Sequence, residues 1–208
     1  MSTYKLTYFN SRARAEVSRL IFAVSGQEYE DYRINDRTEW TESIKQTMPL
    51  GQIPVLTING KTEIPQSRAI ERYLAREFGL YGKNNMENTM CDVFIETIHN
   101  DLRPHIRSCV FETDDIKKAE IDKKLSEEIL PKFTNFIEKK LKGNGSGYLV
   151  GDKLTVADLA VYDILQWAAL VWNKKALGYS EEVSKHTDMI EAMPAVKTWL
   201  ETRPKTER

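Results

Sequence analysis

Cysteine, net charge and long apolar runs are all scarce in this sequence. The two cysteines, Cys91 and Cys109, are too few for a disulfide framework and too far apart for a redox Cys-x-x-Cys pair. A formal net charge of −1 lacks the basic excess that is typical of nucleic-acid binders. Because no apolar run approaches the roughly 18 residues that a membrane helix needs, we expect no membrane partner.

The first residues contain no long apolar segment, so we expect no signal peptide and a reducing, cytoplasmic setting. The 208 residues are 41% hydrophobic and 29% charged, which is the composition of a globular protein with one large or two small domains. Cys91, His99, His105 and Cys109 match no common zinc spacing. We therefore predict no metal site.

The first eighty residues alternate between strand and helix patterns. Apolar and polar residues alternate over Tyr4–Tyr8, which indicates a short strand. Apolar residues at helical spacing predict a helix over 13–24, and a second strand is predicted over 29–34.

A hairpin is the strongest local pattern of this region. Asn59-Gly60 suits a type I′ turn between the apolar runs 53–58 and 61–64. A helix through 70–78 then ends at Gly79. The predicted order is strand, helix, strand, loop, strand, strand, helix.

Beyond about residue 86 the sequence shows amphipathic helical patterns and no convincing strand. The longest covers 116–141, and Pro131 should bend or interrupt it. Further on, Thr155 and Asp158 predict a capping box, in which the Thr155 side chain accepts from the Asp158 N–H and the carboxylate binds the N–H of Thr155. We assign this pair a structural role only.

These patterns predict two domains. A mixed α/β domain covers residues 1–79, and a polar segment rich in glycine and asparagine, residues 80–88, links it to the rest. Residues 89–208 form an all-helical domain.

Five separated segments carry a family resemblance. They are Tyr4–Phe9, Arg12–Glu16, Gly51–Leu56, Gln66–Leu74 and Thr155–Asp158. Together they resemble the sigma class of glutathione S-transferases, which includes the haematopoietic prostaglandin D synthases and the squid S-crystallins. The resemblance covers essentially the whole chain. It implies the glutathione S-transferase fold, with a thioredoxin-like α/β N-terminal domain and an all-α C-terminal domain, and a homodimer.

The resemblance implies that Tyr8 and Arg14 are catalytic. The Tyr8 hydroxyl would donate a hydrogen bond to the sulfur of glutathione and so stabilise the nucleophilic thiolate. Lowering a thiol pKa by about two units requires about 2.7 kcal/mol, which a charge-assisted hydrogen bond can supply. Arg14 would maintain the electrostatic environment of the sulfur. Without the family pattern, Tyr8 is one of nine tyrosines and is more typical of a core residue.

The resemblance also implies which residues bind glutathione, the co-substrate. Ser67 opens a predicted helix and, with Gln66 beside it, would bind the γ-glutamyl carboxylate. Ile53 would present its backbone to the cysteine of glutathione, ahead of a cis peptide bond to Pro54. The residues at the glycine end would be Trp40, Lys45 and Gln52.

An acidic residue from the partner subunit meets the ammonium of the ligand in this family. An ungapped count places that position on Asn100, and Asp101 follows it. Either side chain could accept the hydrogen bond, but only Asp101 brings a full negative charge. We therefore predict Asp101.

Departures from the family pattern concern the second substrate. The count puts Arg107 where the prostaglandin synthases have an aromatic residue, and Glu96, His99 and Asn100 where they have three aspartates. We predict conjugation of electrophiles or reduction of organic hydroperoxides, in a pocket shaped by Arg107, Tyr162 and the C-terminal tail. The alternatives are a glutathione-dependent prostaglandin isomerase and a non-catalytic, S-crystallin-like protein.

Overall fold

The computed structural model describes residues 2–171 and 179–206. Contacts divide the chain into two compact units. The first contains the residues up to Leu80 and those from Met193 onward, and the second runs from Tyr81 to Ala192. The segment from Met193 onward therefore groups with the α/β unit, whereas the sequence pattern placed it with the helices of the second domain.

The first unit is built on a four-stranded mixed sheet. Its strands are β1 (Tyr4–Phe9), β2 (Glu30–Ile34), β3 (Val55–Ile58) and β4 (Thr62–Pro65). Their spatial order is β2-β1-β3-β4, with β1 parallel to β2 and antiparallel to β3, and β3 antiparallel to β4. This arrangement confirms the glutathione S-transferase N-terminal fold expected from the sequence.

Three helices complete this unit: α1 (Glu16–Ser25), α2 (Ser67–Glu77) and the C-terminal helix (Pro194–Thr202). Both α2 and the C-terminal helix contact α1. The apolar residues that the strand and helix patterns selected form the core, including Leu6, Leu20 and Leu74, each at most 1% exposed. Burial of one face of each element stabilises the unit, at about 25 cal/mol per Å² of apolar surface.

The hairpin between β3 and β4 has the predicted turn. Asn59 and Gly60 have φ values of 52° and 64°, so both central residues are left-handed, as a type I′ turn requires. The N–H of Lys61 donates to the carbonyl of Ile58 at 3.0 Å and closes the turn. Asparagine and glycine are the residues that tolerate this backbone best.

The regular elements of the second unit, within residues 81–171 and 179–192, are all helical. They are α3 (Asn85–Thr97), α4 (Arg103–Phe111), α5 (Asp115–Lys124), α6 (Leu130–Asn144), α7 (Val156–Val171) and α8 (Glu181–Glu191). Two π-helical segments, Ile98–Leu102 and Leu125–Ile129, join α3 to α4 and α5 to α6. None of the helices among these residues is both long and apolar enough to cross a membrane.

Pro131 interrupts the long amphipathic pattern as predicted. It lies in the first turn of α6, directly after the π segment Leu125–Ile129. Proline has no N–H to donate to the preceding turn, so the regular ladder of hydrogen bonds changes there. The segment 80–88, expected as a linker, contains the first turn of α3, which Asn84 caps by accepting from the N–H of Glu87 at 3.0 Å.

The capping box at the start of α7 differs in one bond from the prediction. The Asp158 carboxylate accepts from the N–H of Thr155 at 2.8 Å, as expected. The Thr155 hydroxyl, however, donates to the same carboxylate at 2.8 Å instead of accepting from the Asp158 N–H, which donates to the Thr155 carbonyl. A fully buried carboxylate attracts donors strongly, so the hydroxyl turns toward it.

Candidate active site

Tyr8 lies near the end of β1, and its side chain is almost fully buried at 7% exposure. Its hydroxyl oxygen accepts a hydrogen bond from the backbone N–H of Arg14 at 3.5 Å. This bond uses a lone pair of the oxygen, so the hydroxyl proton can still be donated to another acceptor. The arrangement suits a phenol that acts as a hydrogen-bond donor.

Arg14 reaches Tyr8 because the chain turns back sharply after β1. The residues Ala13–Ala15 form a single 3₁₀ turn ahead of α1, and Ala13 has a positive φ of 35°. The turn directs the Arg14 amide toward the hydroxyl while the Arg14 side chain is exposed. The structure thus brings the two predicted catalytic residues together, through the backbone of Arg14.

A cluster of buried charges beneath this turn was not recognised in the sequence. The side chains of Glu16 and Arg19 are 1% and 0% exposed, with Nη1 of Arg19 3.4 Å from Oε2 of Glu16. Arg19 Nε also donates to Oδ1 of Asp31 at 3.1 Å. In a sequence, an acidic and a basic residue three positions apart are typical of an exposed helix face, so nothing marks this pair as buried.

Sheet register places three predicted site residues in one row. Thr7 pairs with Val55, and Val55 pairs with Pro65. The next residue of each strand toward the site is therefore Tyr8, Pro54 or Gln66, each adjacent in the chain to one of the paired residues. The Ile53–Pro54 peptide bond is cis, as the resemblance implied.

Gln66 and Ser67 form the start of α2. Gln66 has φ 75° and ψ 111°, an unfavourable backbone for a residue with a side chain. The carbonyl of Gln66 accepts from the N–H groups of Ala69 and Ile70, both at 3.0 Å, so the amide of Ser67 precedes the helical ladder. Helix N-termini of this kind attract carboxylates. The Ser67 side chain is 7% exposed and Gln66 is exposed.

Trp40 belongs to a helical segment between β2 and β3 that the sequence pattern left as a loop. Asp36 caps this segment by accepting from the N–H of Thr38 at 2.8 Å. The Trp40 ring meets Phe9 edge-on with centroids 5.5 Å apart, and Phe9 meets Tyr8 at 5.8 Å. An aromatic chain therefore connects Trp40 to Tyr8.

Lys45 and Gln52 lie on either side of Gly51. A Cβ at Gly51, which has φ 57°, would be 3.7 Å from Cγ and Cε of Lys45, so the lysine side chain runs along this glycine. Lys45 and Gln52 are exposed, and Ile53 is half-buried. The first unit thus gathers nine of the ten predicted site residues.

The tenth, Asp101, belongs to the second unit. It lies with Asn100 in the π segment Ile98–Leu102, and both residues are exposed. Nδ2 of Asn100 donates to Oε2 of Glu96 at 2.9 Å, and the Asp101 carbonyl is 2.8 Å from Nδ1 of His105. The Asn100 amide is therefore engaged within its own helix.

Two residues expected at the second-substrate pocket differ in their environments. Arg107 is exposed, with its guanidinium 5.3 Å from the ring centroid of Phe111. Tyr162 is 2% exposed, and its hydroxyl donates to Oε2 of Glu191 at 3.2 Å. Tyr162 is therefore a core residue of the helical unit rather than part of an open pocket. Tyrosine occurs in both settings, and the sequence alone did not separate them.

No group of three or more histidine, cysteine, aspartate or glutamate residues is arranged to hold a metal ion in the part of the chain that the structure describes.

Comparison with known families gives matches over both units. The model for the glutathione S-transferase N-terminal domain matches residues 4–76, and that for the C-terminal domain matches residues 100–203. The chain belongs to the glutathione S-transferase family. It is a glutathione transferase, and glutathione is its co-substrate.

Relatives of the transferase are similar over nearly their full length. Probable glutathione S-transferase 5 from Caenorhabditis elegans is 40% identical, with 99% of each chain covered. S-crystallin SL11 from Nototodarus sloanii is 34% identical, also with 99% of each chain covered. The family therefore includes both named transferases and a crystallin at similar distances from this transferase.

Solved structures agree closely with the fold of this transferase. A Nu-class enzyme from Haemonchus contortus has a TM-score of 0.90 and 38% identity, with all of both chains covered. A transferase from Necator americanus, described as monomeric, has a TM-score of 0.86 and 39% identity, with 99% of this chain and all of that chain covered. Classes other than sigma are thus among the neighbours.

Proposed function

We propose that Tyr8 activates glutathione by donating a hydrogen bond to its sulfur. A free thiol has a pKa of about 8.5, so only a few per cent is thiolate at neutral pH. The bond from the Arg14 N–H to the Tyr8 oxygen, at 3.5 Å, is the observation that carries the proposal. It orients the phenol and leaves its proton for the sulfur. Accepting one hydrogen bond also strengthens the phenol as a donor.

The remaining predicted residues would bind the rest of the tripeptide. The N-terminus of α2 at Ser67, with Gln66, would hold the γ-glutamyl carboxylate, since the amide groups there precede the helical ladder. The backbone of Ile53 would bind the central cysteine. Register supports this arrangement, because Tyr8, Pro54 and Gln66 follow one paired row across the sheet. The residues for the glycine carboxylate are Trp40, Lys45 and Gln52.

We also propose a sigma-type homodimer in which Asp101 of a second copy meets the ammonium of glutathione. Asp101 is exposed and negatively charged, whereas the Asn100 amide is engaged with Glu96. Sedimentation velocity would test the assembly, and an Asp101→Asn variant with an unchanged KM for glutathione would contradict the role of Asp101.

The activated thiolate would attack electrophilic carbon atoms or reduce organic hydroperoxides, in the cytoplasm, as a detoxifying activity. The crystallin relative offers a second candidate, a structural protein with little activity. The contact between Arg14 and Tyr8 favours the enzyme, because a purely structural protein has no use for an oriented phenol that retains its proton. A panel of aryl halides and hydroperoxides would define the range of second substrates.

Replacement of Tyr8 tests the mechanism. In Tyr8→Phe we expect the ultraviolet absorbance of bound thiolate to disappear at neutral pH and kcat/KM to fall about 100-fold, which corresponds to about 2.7 kcal/mol. The KM for glutathione should change little. Tyr32→Phe is the matched control, since its hydroxyl contacts Glu39 at 3.4 Å on the neighbouring strand. Equal activity of Tyr8→Phe and the wild type would contradict the proposal.

A further inference from the structure

The turn that carries Arg14 is fixed at both ends by buried charged groups. At its start, the carbonyl of Ser11 accepts from Nη1 of Arg19 at 2.6 Å. At its end is Glu16, the first residue of α1, whose side chain is 1% exposed. Between these points the Arg14 N–H makes its bond to the Tyr8 hydroxyl. Any displacement of the turn therefore changes that bond.

Two residues of the C-terminal helix region hold the Glu16 end. Nε1 of Trp199 donates to Oε1 of Glu16 at 2.9 Å, and Nη1 of Arg203 donates to the same oxygen at 2.6 Å. A buried carboxylate is strongly destabilising unless it is paired and hydrogen-bonded. These donors therefore determine where Glu16 can lie. Both come from residues more than 180 positions away along the chain, as the separations of 183 and 187 show.

We propose that Trp199 and Arg203 are positioning residues for Tyr8, acting through Glu16 and the Arg14 turn. The inference rests on the proposed role of Tyr8 as the donor to the glutathione sulfur. The N–H of Arg14 is 3.5 Å from the Tyr8 oxygen, at the long end of the range for a hydrogen bond. A shift of a few tenths of an ångström would break it. Tyr8 would then be a poorer donor, and the bound thiol would lose a proton less readily.

The rival explanation is that the cluster only stabilises the unit. A merely structural role lowers the amount of folded enzyme and reduces activity equally at every pH. A positioning role raises the pKa of the bound thiol, so activity is lost at low pH and recovered at high pH, where the thiol ionises unaided. The pH dependence of kcat/KM therefore separates the two explanations.

The test uses substitutions that remove one donor each and keep much of the side-chain volume. They are Trp199→Phe and Arg203→Gln, with Arg203→Lys as a conservative variant that keeps the charge. Lys197→Gln is the control, because Lys197 is exposed on the same helix. The Arg203 side chain is 21% exposed, so Arg203→Gln should fold even where Trp199→Phe is unstable.

For Trp199→Phe and Arg203→Gln we expect the pKa of bound glutathione, followed by thiolate absorbance, to rise by about half a unit to one unit. At about pH 6.5 kcat/KM should fall roughly three- to tenfold, and it should recover near pH 9. Arg203→Lys should regain part of the loss, and Lys197→Gln should match the wild type.

Two results would overturn the inference: a thiol pKa equal to that of the wild type in both variants, or a loss of activity that is the same at all pH values. Tyr8→Phe, measured in parallel, separates this failure from failure of the proposed function. If Tyr8→Phe keeps the thiolate absorbance, the role of Tyr8 is wrong. If it loses the absorbance while Trp199→Phe and Arg203→Gln keep it unchanged, only the role of Trp199 and Arg203 is wrong.

Discussion

Nε2 of His186 lies 2.9 Å from Oδ1 of Asp158, and both side chains are at most 1% exposed. The carboxylate also accepts from the N–H of Leu149 and from the N–H and hydroxyl of Thr155, each at 2.8 Å. Asp158 thus joins α7, α8 and the loop before α7 within the helical unit. A capping box was expected at this place, but the histidine was not.

Replacement of Asp158 by asparagine should destabilise the helical unit strongly. The amide group offers one acceptor oxygen for four donors, and its NH₂ group faces donors that it cannot bind. We expect a loss of about 2–4 kcal/mol in the free energy of unfolding, measured by urea denaturation. Asp188→Asn, at an exposed position of α8, is the control and should differ from the wild type by less than about 0.5 kcal/mol. Equal stability of the two variants would contradict the assignment.

Gln66 offers a test of strain against binding. Its φ of 75° is costly for any residue except glycine, so Gln66→Gly should relieve backbone strain of about 1 kcal/mol, partly offset by the greater entropy of the unfolded chain. We expect an unchanged or slightly higher melting temperature and a higher KM for glutathione.

Gln66→Ala is the matched variant for that experiment. It removes the same polar group but keeps the backbone strain, so we expect a higher KM without the gain in melting temperature. If Gln66→Gly binds glutathione as well as the wild type, the side chain of Gln66 has no part in binding.

The thiol of Cys91 should be unreactive in the folded protein. Burial chiefly raises its pKa, to about 11, and the nearby Asp158 carboxylate adds to the increase. A thiol with that pKa has over 100-fold less thiolate at neutral pH than a free cysteine. In a Cys109→Ser background, which leaves Cys91 as the remaining thiol, alkylation by iodoacetamide at about pH 7.5 should be at least tenfold slower in the native state than in urea. Equal rates would show that Cys91 is accessible.

Local patterns were sufficient where a short segment determines its own structure. The alternation over Tyr4–Tyr8 and the Asn59-Gly60 turn predicted β1 and the hairpin, because pleat and turn depend on neighbouring residues. The helical segment around Trp40 was missed, since one or two turns are too short for an apolar period to emerge.

Long-range pairing accounts for the rest of what the sequence did not predict. Glu16 is buried because Trp199 and Arg203 bind it, and His186 is buried because Asp158 binds it. Nothing within a few residues of Glu16 or His186 distinguishes either from an exposed polar residue. The predicted site residues, in contrast, were found through a family resemblance, since Tyr8 alone has the pattern of a core residue.

Glu16 has a consequence for how this protein is made. A ribosome that has synthesised the whole sheet of the first unit still has to add more than a hundred residues before Trp199 and Arg203 emerge, since Trp199 follows Glu16 by 183 positions. Throughout that interval a carboxylate destined for the interior lacks two of its donors. The N-terminal unit can therefore reach its final packing only when translation is nearly complete, and its maturation is tied to the end of the message.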